Sequence, residues 1–142
     1  MFQDYENMEQ ANIENIDKAI NAWIKSSDDN YDEMLDFFKI NRNNWSLFIG
    51  HLCLEKLLKA YYIKVNHKHS QNLHNLIRIA ELSHLELTNE QRNDFAMITT
   101  FNISARYDDF KQNFYNNCTS EFTNKWVEKI KAYRLWIKEL IK

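Results

Sequence analysis

The sequence predicts an all-α protein, a four- or five-helix up-and-down bundle folded around one core. Three observations carry that prediction. The chain has one glycine, Gly50, and no proline, whereas the tight turns of sheet proteins draw on both. Apolar residues recur at steps of three and four over most of its length, the spacing of one helix face. Apolar residues also make up 44% of the 142, with 14% aromatic, ample for a core without disulfide or metal support.

The first helix is read from Ile13, Ile16, Ile20, Trp23, Ile24, Tyr31, Met34, Leu35 and Phe38, which hold one sector at ~100° per residue. The polar patch Ser26-Ser27-Asp28-Asp29-Asn30 marks where it would bend or break, giving one long helix or two nearly collinear pieces. It ends before Asn41-Arg42-Asn43-Asn44. The second helix, Trp45 to Val65, is apolar on nearly every side and so belongs in the middle of the bundle. A polar loop from Asn66 to Asn72 leads to a short helix carrying Leu73, Leu76, Ile77 and Ala80. Thr88-Asn89-Glu90-Gln91 has the capping-box pattern, so a fourth helix starts there and runs through Phe95, Ile98, Phe101 and Ala105. Asp108 to Asn117 is expected as a polar, aromatic-studded connection. Thr119 or Ser120 caps the last helix, whose Phe122, Trp126, Ile130, Tyr133, Ile137 and Leu140 keep one face to the end.

Charge and cysteine usage narrow the function classes. A net charge of −2 is not the footprint of a general nucleic-acid binder. No run approaches the length of a membrane span, and the N-terminus MFQDYENMEQ is acidic, unlike a secretion signal. A cytoplasmic protein without membrane attachment is expected. Cys53 and Cys118 fall in different elements with no metal or redox spacing.

Polar residues on the apolar second helix are the first candidates for chemistry. His51, Glu55 and Lys59 form one stripe at i, i+4, i+8, with Lys56 beside it. Such charges either pair among themselves or line a cleft or a subunit groove. Arg106, in Ala105-Arg106-Tyr107-Asp108-Asp109, falls about 20° from Phe95 on the helical wheel. At that rim an arginine either pairs with a carboxylate, Glu55 being the attractive candidate, or grips phosphate with its planar fork. His67, His69 and His74 are close in sequence but lack a fourth ligand nearby, so no metal and no cofactor are expected. Lysines of the last helix alternate with Glu121, Glu128 and Glu139, a solvated face rather than a nucleic-acid patch.

In order and spacing these pieces resemble the HEPN family. The marks are Trp45 with Phe48 opening the central helix, Glu55-Lys56-Leu57-Leu58-Lys59-Ala60, His74-Asn75-Leu76, and Ala105-Arg106-Tyr107. The resemblance covers about Ile20 to Leu140. Residues 1–19 are then an extension of the first helix, and 20–142 the HEPN-like domain. It implies a helical bundle that forms a homodimer, a minimal nucleotidyltransferase as partner in a toxin–antitoxin-like system, and a groove for nucleotide, phosphate or RNA. That groove is expected to draw on His51, Glu55, Lys56, Lys59, His74, Arg106 and Tyr107.

Other family members are metal-independent endoribonucleases with Arg-x4–6-His at the end of the fourth helix. There the histidine moves the 2′-hydroxyl proton and the arginine steadies phosphate charge. Here the positions four to six beyond Arg106 are Phe110, Lys111 and Gln112. Arg78 and His84 match the spacing by accident, where the short third helix ends. The expectation is a binding module. The alternative is a ribonuclease whose histidine, His51 or His74, comes from elsewhere in the chain.

Overall fold

A computed structural model describes the backbone of residues 2–142 and the side chains of residues 15–107 and 109–142. The side chains of Ile13 and Asp108 lie outside the described residues. Among the described residues there are six helices: α1 (Phe2–Lys39), α2 (Asn43–Asn66), α3 (Leu76–Leu82), α4 (Asn89–Arg106), α5 (Asp108–Asn117) and α6 (Ser120–Ile141). Helix accounts for 83% of the structure, with no strand among the described residues. No helix is long and apolar enough to cross a membrane, again among the described residues.

The polar patch does not break α1. Ser27 and Asp28 find partners on neighbouring helices. Fully buried Ser27 donates to the Cys53 carbonyl of α2 at 2.8 Å. Asp28 takes Arg134 at 3.1 Å and Lys138 at 2.7 Å from α6. The same helix runs across residues 19 and 20, and Ile16, Ala19, Ile20 and Trp23 all pack on the core. α1 stops where Asn41 takes a left-handed conformation, φ 60°, which asparagine tolerates better than most residues.

α2 is enclosed by α1, α3, α4 and α6, with Leu47, Leu54, Leu57, Leu58, Ala60 and Ile63 all fully buried. Most of its apolar surface is thus covered within the chain, while Trp45 stays 40% exposed. Close approach is possible because Gly50 has no side chain. A Cβ there would lie 2.7 Å from Ile130 Cδ1 and 2.8 Å from Met34 Sδ. Gly50→Val is expected to cost about 1–3 kcal/mol by overpacking, and Gly50→Ala less, since alanine regains about 0.8–1.0 kcal/mol of helix propensity. Urea unfolding of the two variants checks the order, and a valine variant as stable as the parent would contradict this packing.

Helices α3, α4 and α6 begin at side-chain caps. Asn75 accepts the Arg78 N–H at the start of α3, Thr88 and Gln91 form the reciprocal capping box of α4, and Thr119 accepts the Phe122 N–H at α6. α3 starts at Leu76, after Leu73, because Asn75 is the cap. The expected connection after Asp108 is instead the ten-residue helix α5. Phe110 and Phe114 are spaced i, i+4. Phe114 packs on Phe101 with centroids 5.7 Å apart, enough to hold a short helix over the aromatic core of Phe101, Phe122 and Trp126.

Candidate functional site

The α2 stripe is a buried polar network. His51, Glu55 and Lys59 are 0%, 4% and 5% exposed, and burial this deep requires each charge to be paired. Glu55 Oε2 accepts from Lys59 Nζ at 3.2 Å, and Glu55 Oε1 meets His74 Nδ1 at 3.0 Å. The Lys59 ammonium also lies 5.3 Å from the Trp23 ring centroid, on the α1 side. His74 belongs to the segment before α3, and α3 itself is anchored at both ends. Leu76 N–H donates to Thr99 of α4 at 3.2 Å, and Asn66 at the end of α2 donates to Leu82 O at 3.0 Å.

His51 Nε2 is 3.1 Å from the His74 carbonyl oxygen. A carbonyl only accepts, so Nε2 carries the proton. Nδ1 is then bare, and it is buried with no hydrogen-bond partner. Burial pushes the His51 imidazole below its ordinary value of 6.5, against the opposite pull of the Glu55 charge and of the hydrogen bond to the His74 carbonyl. The unfolded chain therefore binds this proton at a pH where the folded chain does not. Its contribution to stability is fully present above 6.5 and is lost as pH falls below that value. His51→Gln is expected to flatten the fall in unfolding free energy between about pH 7 and pH 5, read by urea denaturation. An unchanged slope would contradict a neutral, buried His51.

The other candidates lie around this network or apart from it. Arg106, the last residue of α4, is exposed. Its guanidinium carbon stands 5.7 Å from the Phe48 ring centroid. The expected pair with Glu55 does not form, because both Glu55 oxygens are already taken by Lys59 and His74. Among the described residues, no carboxylate lies within salt-bridge distance of Arg106. Tyr107, 59% exposed, is the extended residue shared by the end of α4 and the start of α5. Lys56 turns away from the network and donates to Ser26 Oγ of α1 at 2.7 Å. His67 and His69 are exposed, and no three His, Cys, Asp or Glu side chains converge on a metal-sized site among the described residues. Cys53 and Cys118 are free and buried, and burial raises both thiols, Cys118 to about 12.

Phe48 and His74 were both named from sequence, but what each touches was not. Phe48 is the seat of Arg106, and its position one turn before His51 on the same face of α2 is the signal that links them. His74 has its Nδ1 held by Glu55 and, among the described residues, no hydrogen-bond partner on Nε2, while its side chain is 41% exposed. The carboxylate thus orients an imidazole whose other nitrogen is open to a ligand.

An all-α bundle with a Glu-Lys-His network on its central helix and an arginine at its rim defines a class of helical domain. The family model for the HEPN domain matches residues 20–140, and the chain belongs to that family. No curated protein and no solved structure matches it.

Proposed function

We propose that this HEPN domain is a binding module and the partner of a minimal nucleotidyltransferase in a toxin–antitoxin-like system of the cytoplasm. Arg106 and His74 form its anion-binding edge. The observation that carries this reading is the state of Arg106, an exposed guanidinium on an aromatic ring with no described carboxylate beside it. An arginine so placed keeps its fork free for the oxygens of a phosphate. The Glu55–Lys59–His74 network behind it is already paired, so its role is to hold His74 and the start of α3 in place. Exposed Met97, Ile103, Phe110 and Tyr115 on α4 and α5 offer apolar area for the partner or for a second copy of the chain. A tagged chain recovered from its native host is expected to carry a nucleotidyltransferase identified by mass spectrometry. Recovery of the chain without one would count against the partnership.

One observation favours a second reading, a metal-independent endoribonuclease. The Glu55–His74 pair has the form of an oriented general base. With His74 Nε2 taking the 2′-hydroxyl proton and Arg106 steadying the phosphate, it would replace the histidine missing from positions 110–112. Asp109, exposed three residues beyond Arg106, opposes an RNA backbone and favours a single phosphate over a polyanion.

A further inference from the structure

We propose that residues 67–75, the segment between α2 and α3, form a proton-released strap. It is closed over His51 at neutral pH and lifts from α2 when His51 gains a proton, taking His74 away from Glu55. The strap is held at few points. Leu73 packs against the core. The His74 carbonyl accepts from His51 Nε2 at 3.1 Å, and His74 Nδ1 meets Glu55 Oε1 at 3.0 Å. At the exit, Leu76 N–H donates to Thr99 Oγ1 of α4 at 3.2 Å. His67, Lys68, His69, Gln71, Asn72 and Asn75 are all exposed. A polar segment so thinly anchored opens at less cost than the bundle it lies on.

His51 makes the closed strap sensitive to acid. The residue is fully buried, with Nε2 committed to the His74 carbonyl and Nδ1 without a hydrogen-bond partner. A second proton has to go to Nδ1, creating a buried cation with one N–H unpaired, a far less favourable state than the same cation in water. Departure of the strap frees Nε2 and opens that side of the ring to water. The charges around His51 come from three elements: Glu55 of α2, 3.8 Å from Nε2, His74 of the strap and Arg106 of α4. Burial is the largest influence and holds the ring below 6.5, against Glu55 and the hydrogen bond to the His74 carbonyl, while Arg106 repels the cation. A proton on His74 acts the other way, by strengthening its pairing with Glu55. That ring is 41% exposed, so water screens the gain. The closed strap is thus favoured while His51 is neutral. In the open state the ring returns to its ordinary value, so opening grows as pH falls below 6.5, by up to about tenfold per pH unit for one proton. Once open, the strap withdraws His74 and leaves Arg106 in place on α4. Acid would then strip the proposed binding edge of one of its two groups, whatever that edge meets.

The test is amide hydrogen exchange of the full chain without ligand, followed at the Leu76 N–H and expressed as protection relative to the intrinsic rate. Between about pH 7 and about pH 5.5 that protection is expected to fall roughly tenfold. At low urea it should not respond to urea, the mark of a local opening, while amides around Ile130 in α6 follow urea as global unfolding does. His51→Gln keeps a donor for the His74 carbonyl but does not titrate, so its Leu76 protection should stay level with pH. Protection that is level or rises with acid in the parent, or that shares the urea slope of α6, would overturn the strap. Both are read on the parent alone, so the outcome does not depend on the variant folding. A fall that survives in His51→Gln would overturn His51 as its trigger.

Discussion

Replacing Glu55 by alanine is expected to destabilise the domain by about 3–5 kcal/mol, because a buried charge loses its counter-charge. Lys59 is 5% exposed and its ammonium has Glu55 as its carboxylate partner at 3.2 Å. Without Glu55 the ammonium is left in apolar surroundings beside Trp23. His74 would lose its 3.0 Å partner at the same time, loosening the segment that leads into α3. The melting temperature should fall on the order of 10 °C. Glu55→Gln keeps the shape but not the charge, so it should rescue little. Glu55→Leu combined with Lys59→Met removes both charges and should recover much of the loss, since a buried pair adds little over well-packed apolar side chains of similar size. A Glu55→Ala protein within about 1 kcal/mol of the parent would show that water or a rearranged Lys59 satisfies the site.

Arg106→Ala should behave in the opposite way. The side chain is exposed and contacts a ring rather than a carboxylate, so its loss should cost no more than about 0.5–1 kcal/mol of stability. Binding of a phosphate-bearing ligand should weaken roughly tenfold to hundredfold, the scale of one or two charge-assisted hydrogen bonds. Arg106→Lys keeps the charge without the planar fork and should restore little of that affinity. The pair of variants therefore separates two roles that the sequence left joined: a fold-holding role for Glu55 and the ligand contact proposed for Arg106. If Arg106→Ala melts as low as Glu55→Ala while ligand affinity is unchanged, the assignment is reversed.

Much of this was legible in the chain because local rules and tertiary packing agree. The Thr88 capping box, the all-round apolar α2 and the sustained face of α6 each specify their element without knowledge of the rest. α5 was not legible. Among its described residues the core anchor is Phe114 on Phe101, a contact between helices that a ten-residue polar stretch does not announce. The polar patch of α1 left two readings open for a related reason. Ser27 and Asp28 look like breakers until Cys53 O, Arg134 and Lys138 arrive from α2 and α6 to satisfy them. At the site, spacing on α2 placed His51, Glu55 and Lys59 on one stripe, which is a property of a single helix. It could not decide the partner of Glu55, because Lys59, His74 and Arg106 all compete for two oxygens and only the fold sets who arrives. Lys56 shows the same limit, since one residue along the helix is enough to turn it toward α1.

The division between a binding module and a ribonuclease rests on whether the Glu55-oriented His74 and the exposed Arg106 act together on RNA. Incubating the purified, folded chain with end-labelled single-stranded RNA in EDTA tests this most directly. The account predicts intact RNA, with Arg106→Ala and His74→Ala samples indistinguishable from the parent. Cleavage by the parent that disappears in both variants, with their melting temperatures preserved, would contradict it and establish the nuclease reading.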